Sequence, residues 1–299
     1  MTKEKPINIE GMEQSIKARA DIDARFGFSP QSVLTQIKRG RLSRQVFVYQ
    51  SERKEFSTAK NHKESSRALT IGKGLWGSTK APKGQTLSIM PAELVEFFVK
   101  FYAKPGDVYL DPFMGQGVQM QVAKILGLQY YGYDLSTEFF GYIDSVRSKI
   151  DDGKTVLNIT HGDSRFPSNI PDGIGDFSFH SPPYWDIENY GDEPGQLGNG
   201  SYEEFLVGMR DVARAWLPKF KPGAFHVVNV NDFRKDGRFY PYHADTIRVY
   251  KEAGWELFDT WIIAGLLISA SASIFARGKI ERRIAPKVHE YALVFRRRS

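Results

Sequence analysis

From residue 91 onward, apolar positions follow two alternating periods. PAELVEFFVKFY (91–102) repeats them every three or four residues with Pro91 in the first turn, which predicts a helix, and VYLD (108–111) predicts a short strand. VQMQVAKILG (118–127) then reads as a helix stopped by Gly127, QYYGYD as a strand, TEFFGYIDSVRSKI as a helix, and VLNIT and DFSFH as strands. A long helix from about Tyr202 to Leu217 follows, then the strand AFHVVNV, a helix over ADTIRVYKEAG, and the strands WELFDTWII and YALVF. Strands alternating with helices imply parallel crossover units in one sheet, an α/β fold.

The first 85 residues read differently. Met12, Ile16, Ala20, Ile22 and Phe26 have helical spacing up to Gly27, and Ser29-Pro30 looks like the cap of a second short helix through Val33, Leu34 and Ile37. With KRGRLSR beyond it, this pair predicts a helical hairpin with a basic edge, in the manner of a helix-turn-helix. Residues 51 to 84 are polar and rich in Lys, Ser and Gly, which predicts loops. The expected division is a basic helical and loop-rich region over 1–85 and a main domain over 86–299, with no internal repeat.

Charge sharpens that division. Residues 1–85 carry 17 Lys+Arg against 8 Asp+Glu (+9), residues 86–276 carry 16 against 25 (−9), and residues 277–299 carry 8 against 2 (+6). Two basic ends around an acidic middle predict a polyanion-binding surface built around a catalytic or cofactor core. There is no cysteine, which excludes disulfides, thiolate metal sites and a cysteine nucleophile; the six histidines lack ligand spacing, so no metal is expected. With no apolar run long enough for a membrane span and no secretory leader at MTKEKPINIE, the sequence predicts a cytoplasmic protein without membrane attachment.

Two stretches carry candidate chemistry. In VYLDPFMGQG, Asp111 ends a strand, and Gly115 and Gly117 shape the turn into the next helix, the place where ligands bind an open α/β sheet. The third glycine of a dinucleotide fingerprint is replaced by Met120, and no GK[ST] follows, which weakens both nucleotide readings. Asp134 closes the next strand and Asp163 follows the third, so successive strand ends present three carboxylates. The ammonium, ribose diol and adenine amine of S-adenosylmethionine would match them, although one such acid is often a mere helix cap.

The second stretch is FHSPPYWD. Two prolines stop the strand at His180 and force a rigid turn that fixes Ser181 and aims the Pro182 carbonyl into the same crevice. That acceptor pair would hold a planar amino group, with Tyr184 stacking on a base and Trp185 extending the wall. Hydrogen bonds to both N–H groups would localise the nitrogen lone pair for direct attack on a sulfonium methyl, with no covalent enzyme intermediate. The absent cysteine excludes the thiolate route to carbon-5 of cytosine. Taken alone, SPPY also serves as a structural turn.

DPFMGQG followed by SPPYW resembles the amino-methylating DNA methyltransferases, which act on cytosine N4 or adenine N6. The likeness covers roughly residues 86–299 and includes KVHEYALVFRR as the closing strand; FGFSPQSVL, SYEEFL and VNDFRKDG look like members carried by bacteriophages and prophages. It implies a Rossmann-like, mostly parallel seven-stranded S-adenosylmethionine-dependent methyltransferase sheet with one antiparallel strand. It also implies double-stranded DNA as partner, base flipping, and a bacterial or phage-infected cell with a role of the restriction-modification kind. Asp111, Phe113, Gly115 and Gly117 would line the methionine end of the cofactor, Asp134 would hold the ribose and Asp163 the adenine, and Ser181, Pro182, Pro183 and Tyr184 would form the catalytic turn. In this motif order the family usually continues into a C-terminal recognition region, whereas the sequence ends at Ser299. Recognition is therefore expected from the basic first 85 residues and from the stretch 264–290, with Arg277, Lys279, Arg282 and Arg283. The loop WDIENYGDEPGQLGNG reads as a lid over a flipped base or as a plain connection, and Asn229, Asn231 and Asp232 as base contacts or a satisfied strand end. Ser181 as first residue of the turn favours cytosine N4 over adenine N6 within the family. An RNA base, a protein glutamine amide, or a non-catalytic DNA-binding regulator of the same fold are the competing readings.

Overall fold

The computed structural model describes residues 86–187, 191–264, 283–285 and 289–298, with shorter pieces at 21, 24–26, 31–34, 37, 41–42, 45–48, 57–58 and 77–80. The described strands are β1 (Val33–Leu34), β2 (Phe47–Val48), β3 (Ser57–Thr58), β4 (Gly77–Lys80), β5 (Thr86–Ile89), β6 (Val108–Asp111), β7 (Gln129–Asp134), β8 (Leu157–His161), β9 (Gly175–His180), β10 (Phe220–Val230), β11 (Phe233–Lys235), β12 (Arg238–Tyr240), β13 (Glu256–Ala264) and β14 (His289–Arg296). The helices are α1 (Ala92–Tyr102), α2 (Val118–Ile125), α3 (Thr137–Ile150), α4 (Tyr202–Trp216) and α5 (Tyr242–Glu252).

Eight strands form the central sheet in the order β1-β13-β14-β10-β9-β6-β7-β8. β14 runs antiparallel to both neighbours, and every other pairing is parallel. This is the Rossmann-like sheet that the family resemblance implies, enlarged from seven strands to eight by β1. The strand order reverses between β6 and β9, whose carboxyl ends carry the two candidate turns, and ligands bind an open α/β sheet at such a switch point.

Period-2 alternation in β10 explains the layering. Val227 faces a core with Leu94 and Phe98 of α1, Met120 of α2 and Ile143 of α3, while Val228 faces Phe205, Met209 and Trp216 of α4 and Tyr250 of α5. Three helices thus cover one face and two the other. Each fully buried large side chain such as Trp216 or Phe205 contributes about 1.5–3 kcal/mol. α4 starts at a capping box, in which the Ser201 hydroxyl accepts from the Glu204 amide and the Glu204 carboxylate accepts from the Ser201 amide.

The sequence expectation is corrected in two places. Val33 and Leu34 form no helix but an edge strand, paired with Ile262 and Ile263, with Leu34 buried against the main core. A second departure is the β11–β12 hairpin, whose Asp236-Gly237 turn takes positive φ at both positions. The antiparallel pair β4–β5 spans the expected domain boundary at residue 86. Most of the proposed helix over 10–28 lies outside the described residues. Among the described residues, no helix is long and apolar enough to cross a membrane, and no cluster of His, Asp and Glu has metal-binding geometry.

Candidate active site

The two candidate turns are bound together beneath the sheet edge. The Tyr109 hydroxyl of β6 donates to the Phe179 carbonyl of β9, and the Val108 amide donates to Asp176 Oδ2 at 3.0 Å. Ser164, beyond β8, donates to the Pro112 carbonyl, and its own carbonyl accepts from Trp216 Nε1 at 2.8 Å. Buried strand-to-strand bonds of this kind leave the turns little freedom to separate.

One cleft opens over both. Phe113, Gly115, Asp134, Asp163, Ser181, Pro182, Pro183 and Tyr184 all line it, with Met90, Leu135, Phe139, Leu197 and Val212 as apolar wall. Eight of the sequence-predicted residues therefore share one cavity. Asp111, Gly117 and Trp185 do not line it.

Asp111 lies underneath, fully buried, where Oδ1 accepts from the Phe113 amide at 3.1 Å and Oδ2 from the Tyr130 hydroxyl at 2.8 Å. Burial pushes its carboxyl up to about 7, against those two hydrogen bonds and with the nearby Asp134 adding to the rise. Its place is that of a brace for the DPF turn. Gly117 caps α2 at φ 70°, and a Cβ there would come within 3.2 Å of Ile143, so both conformation and space favour glycine.

Asp134 takes one backbone bond on each oxygen, from the Ser136 amide (2.9 Å) and the Gly115 amide (2.8 Å). Each oxygen keeps a further acceptor site toward the cleft. Burial raises this carboxyl to about 6, opposed by the two amides. Asp163 is engaged differently: Oδ1 accepts from the Arg165 amide at 2.9 Å and both oxygens accept from Arg165 Nε at 3.0 Å. A second guanidinium nitrogen completes the pair and also reaches the Gly195 carbonyl at 3.3 Å. Asp163 thus faces the cleft as half of an ion pair rather than as an open acceptor.

At the diproline turn, the Ser181 hydroxyl donates to the Asn229 carbonyl at 3.1 Å, which leaves its oxygen lone pairs free to accept. The Pro183 carbonyl accepts from Tyr242 at 3.1 Å, and Tyr242 packs edge-on to Tyr184 at 5.7 Å. The Asn229 side chain donates to Glu290 Oε2 at 2.6 Å, while its buried Oδ1 has no hydrogen-bond partner, and the same holds for Asn231 Oδ1. Asp232 instead binds His243, whose ring stacks on Tyr291 at 4.1 Å. Trp185 turns away at a left-handed φ of 43° into a cluster with Tyr202, Phe233 and Tyr240, its ring nitrogen donating to the Gly200 carbonyl at 2.8 Å.

The segment after SPPYW returns across the cleft: Gly195, Gln196 and Leu197 line it, and Glu193 accepts from the Thr137 amide at 3.1 Å. Arg283 is exposed with φ 57°, and Arg277, Lys279 and Arg282 lie outside the described residues. Sequence reasoning missed Tyr242 and Glu290, which come from distant elements and bear no local motif. Behind the turn, His180 and His226 are buried and meet Nε2 to Nε2 at 3.0 Å.

An open sheet with one reversed strand and a cleft at its switch point defines a methyltransferase-type α/β fold. Residues 4–144 match the profile of the N6_N4_Mtase family, described as DNA methylase. The Type II methyltransferase M1.MboII of Moraxella bovis is 28% identical over 112 residues, 38% of this chain, and the chain spans only 36% of that relative's length. Among solved structures, TrmN from Thermus thermophilus aligns at 17% identity and a TM-score of 0.47, over 70% of this chain and 49% of its own. A SAM-dependent methyltransferase from Methanosarcina mazei aligns at 12% and 0.45, over 67% and 96%. The likeness to the amino-methylating DNA methyltransferases is borne out by the family and curated matches; they do not address a phage origin. The profile match includes DPFMGQG and ends before SPPY, whose place in the site rests on the geometry above.

Proposed function

We propose that this protein transfers a methyl group from S-adenosylmethionine to an exocyclic amino nitrogen of a base unstacked from double-stranded DNA. The observation that carries the reading is the single cleft lined by both Asp134 and the Ser181–Tyr184 turn. The donor set fits the cofactor: Asp134 has acceptor capacity left for a diol, Leu135, Phe139 and Leu197 offer apolar faces, and the positive φ of Gly115 lets a ligand approach the backbone. Asp163 fits as a wall and charge partner of Arg165, and Asp111 as the brace that holds Phe113 in place. Bound there, S-adenosylmethionine would supply an electrophilic sulfonium methyl.

The chain's own task is to prepare the nucleophile. An aromatic amine delocalises its lone pair into the ring. Ser181, its proton directed to Asn229, accepts one N–H of the base through its oxygen. Tyr242 occupies the Pro183 carbonyl, which leaves the Pro182 carbonyl for the second N–H. Two acceptors pull the nitrogen toward tetrahedral geometry, and the Tyr184 ring stacks on the base. Asn229, fully buried behind this turn, fixes the Ser181 hydroxyl through its backbone carbonyl.

Ser181 at the first position of the turn accompanies cytosine N4 more often than adenine N6 in the family resembled, so cytosine N4 is the proposed target and adenine N6 the alternative. Incubation with labelled S-adenosylmethionine and duplex DNA, RNA or protein, followed by digestion and mass identification of the modified unit, tests this. N4-methylcytosine from duplex DNA is expected; label confined to RNA or protein refutes it.

A further inference from the structure

We propose that the β11–β12 hairpin grips the phosphate backbone of the DNA strand that carries the target base. The inference rests on the reading of the cleft as a DNA-methylating site and adds to it the surface that holds the substrate at its lip.

Phe233–Tyr240 folds back on itself through the two-residue Asp236-Gly237 turn, and it carries Arg234, Lys235 and Arg238 against the single acid Asp236. One face is spent on fastening. Lys235 bonds the Asp186 carboxylate and the Asp186 carbonyl, and lies 4.9 Å from the Trp185 ring centre. Phe233 and Tyr240 pack on the same indole. The hairpin is therefore riveted to the residues that directly follow Tyr184.

The opposite face is presented outward. Arg234 lies opposite Phe239 across the ladder, its guanidinium 5.1 Å from the ring centre, and Phe239 remains 38% exposed. Arg238, opposite Lys235 in the ladder, shares the fastening face but stays exposed beside the turn, its guanidinium 5.1 Å from the Tyr240 ring centre. Among the described residues neither arginine makes an ion pair, and Arg234 donates only to the Gly237 carbonyl at the tip of its own turn, at 3.3 Å. Two exposed guanidinium groups backed by aromatic rings stand out in a segment, residues 86–276, whose net charge is −9. An acidic domain repels a nucleic acid except where such cations concentrate. A planar guanidinium matches a phosphate through paired N–H donors, and the ring beneath it keeps the group extended. Because Lys235 and Trp185 tie the hairpin to the diproline turn, a backbone held here would keep the neighbouring base in register with Ser181.

The test is equilibrium binding of the full chain to a mixed-sequence fluorescent duplex, without cofactor, across a range of salt. Each phosphate contact contributes about 0.9 to the slope of log K against log[salt], so Arg234→Ala/Arg238→Ala should lower that slope by about 2 and weaken binding at least ~10-fold at low salt. Arg234→Lys/Arg238→Lys should retain most of the slope, and circular dichroism and S-adenosylmethionine affinity should match wild type in both. A double alanine variant with wild-type slope and affinity overturns the proposal. Because binding is read without turnover, hairpin-dependent binding by a protein that transfers no methyl would refute only the methylation reading. Unimpaired binding by the double alanine variant of a protein that does methylate DNA would refute only the hairpin assignment.

Discussion

The Gly115 amide donates to Asp134 Oδ2 at 2.8 Å, so the glycine turn after β6 and the carboxylate after β7 form one structural unit. The carboxylate shapes the turn with one lone pair and faces the cleft with others. Its loss should therefore be felt by cofactor and backbone together.

Asp134→Ala removes a charged acceptor, a change that costs about 1.5–3 kcal/mol, and should weaken S-adenosylmethionine binding by ~10- to 100-fold in calorimetric titration. Asp163→Ala should cost less, since Arg165 already fills its oxygens. Equal losses would contradict the assignment of Asp163 as an ion-pair wall.

Burial holds the Asp134 carboxyl at about 6, above its ordinary value. The ionised form binds the diol better, so wild-type cofactor affinity should hold from pH 8 to 7 and fall as the pH drops through about 6. Asp134→Asn should bind more weakly with no such inflection. The stability linkage has the other sign: a raised carboxyl stabilises the fold below its unfolded value and loses that contribution as pH rises through about 6.

Ser181→Ala removes the acceptor proposed to hold the reacting nitrogen while leaving both cleft walls in place. A group that acts in the transition state is worth about 10²-fold or more in kcat. Methyl transfer should fall by about that factor with cofactor affinity unchanged, and Tyr184→Ala should raise the KM for DNA through a lost stacking contact of about 1–3 kcal/mol. Unaltered kcat in Ser181→Ala would refute its role.

His180 and His226 meet Nε2 to Nε2, so one imidazole donates and the accepting ring must be neutral, while the burial of both rings disfavours charge on either. Burial pushes His180 down to about 3 and His226 in the same direction. Two imidazoles should resist protonation in NMR titration from pH 8 to 4. A depressed histidine value makes the fold lose stability as pH falls from about 6.5 toward 3. Titration of either ring above pH 5 would contradict the pair.

The parallel architecture was legible because helix and strand periods alternate cleanly from Pro91 onward. α3 follows TEFFGYIDSVRSKI residue for residue, and the strand stop at His180 and the helix start after Gly117 follow from proline and glycine chemistry. Less legible was which acid faces the cleft. Asp111, Asp134 and Asp163 look alike at their strand ends, and only packing shows one buried on Tyr130, one open and one paired with Arg165. Trp185 was misread for a similar reason: its direction is set by a positive φ and by rings from β11, β12 and α4. The hairpin did carry a local signal in the Asp236-Gly237 dipeptide.

The most direct measurement is a crystal structure of the protein with duplex DNA and a non-transferable analogue of S-adenosylmethionine. The account predicts the analogue against Asp134 and the extruded base between Ser181 and Tyr184, with the methyl-bearing position facing the exocyclic nitrogen. An analogue or a base bound outside that shared cleft would contradict it.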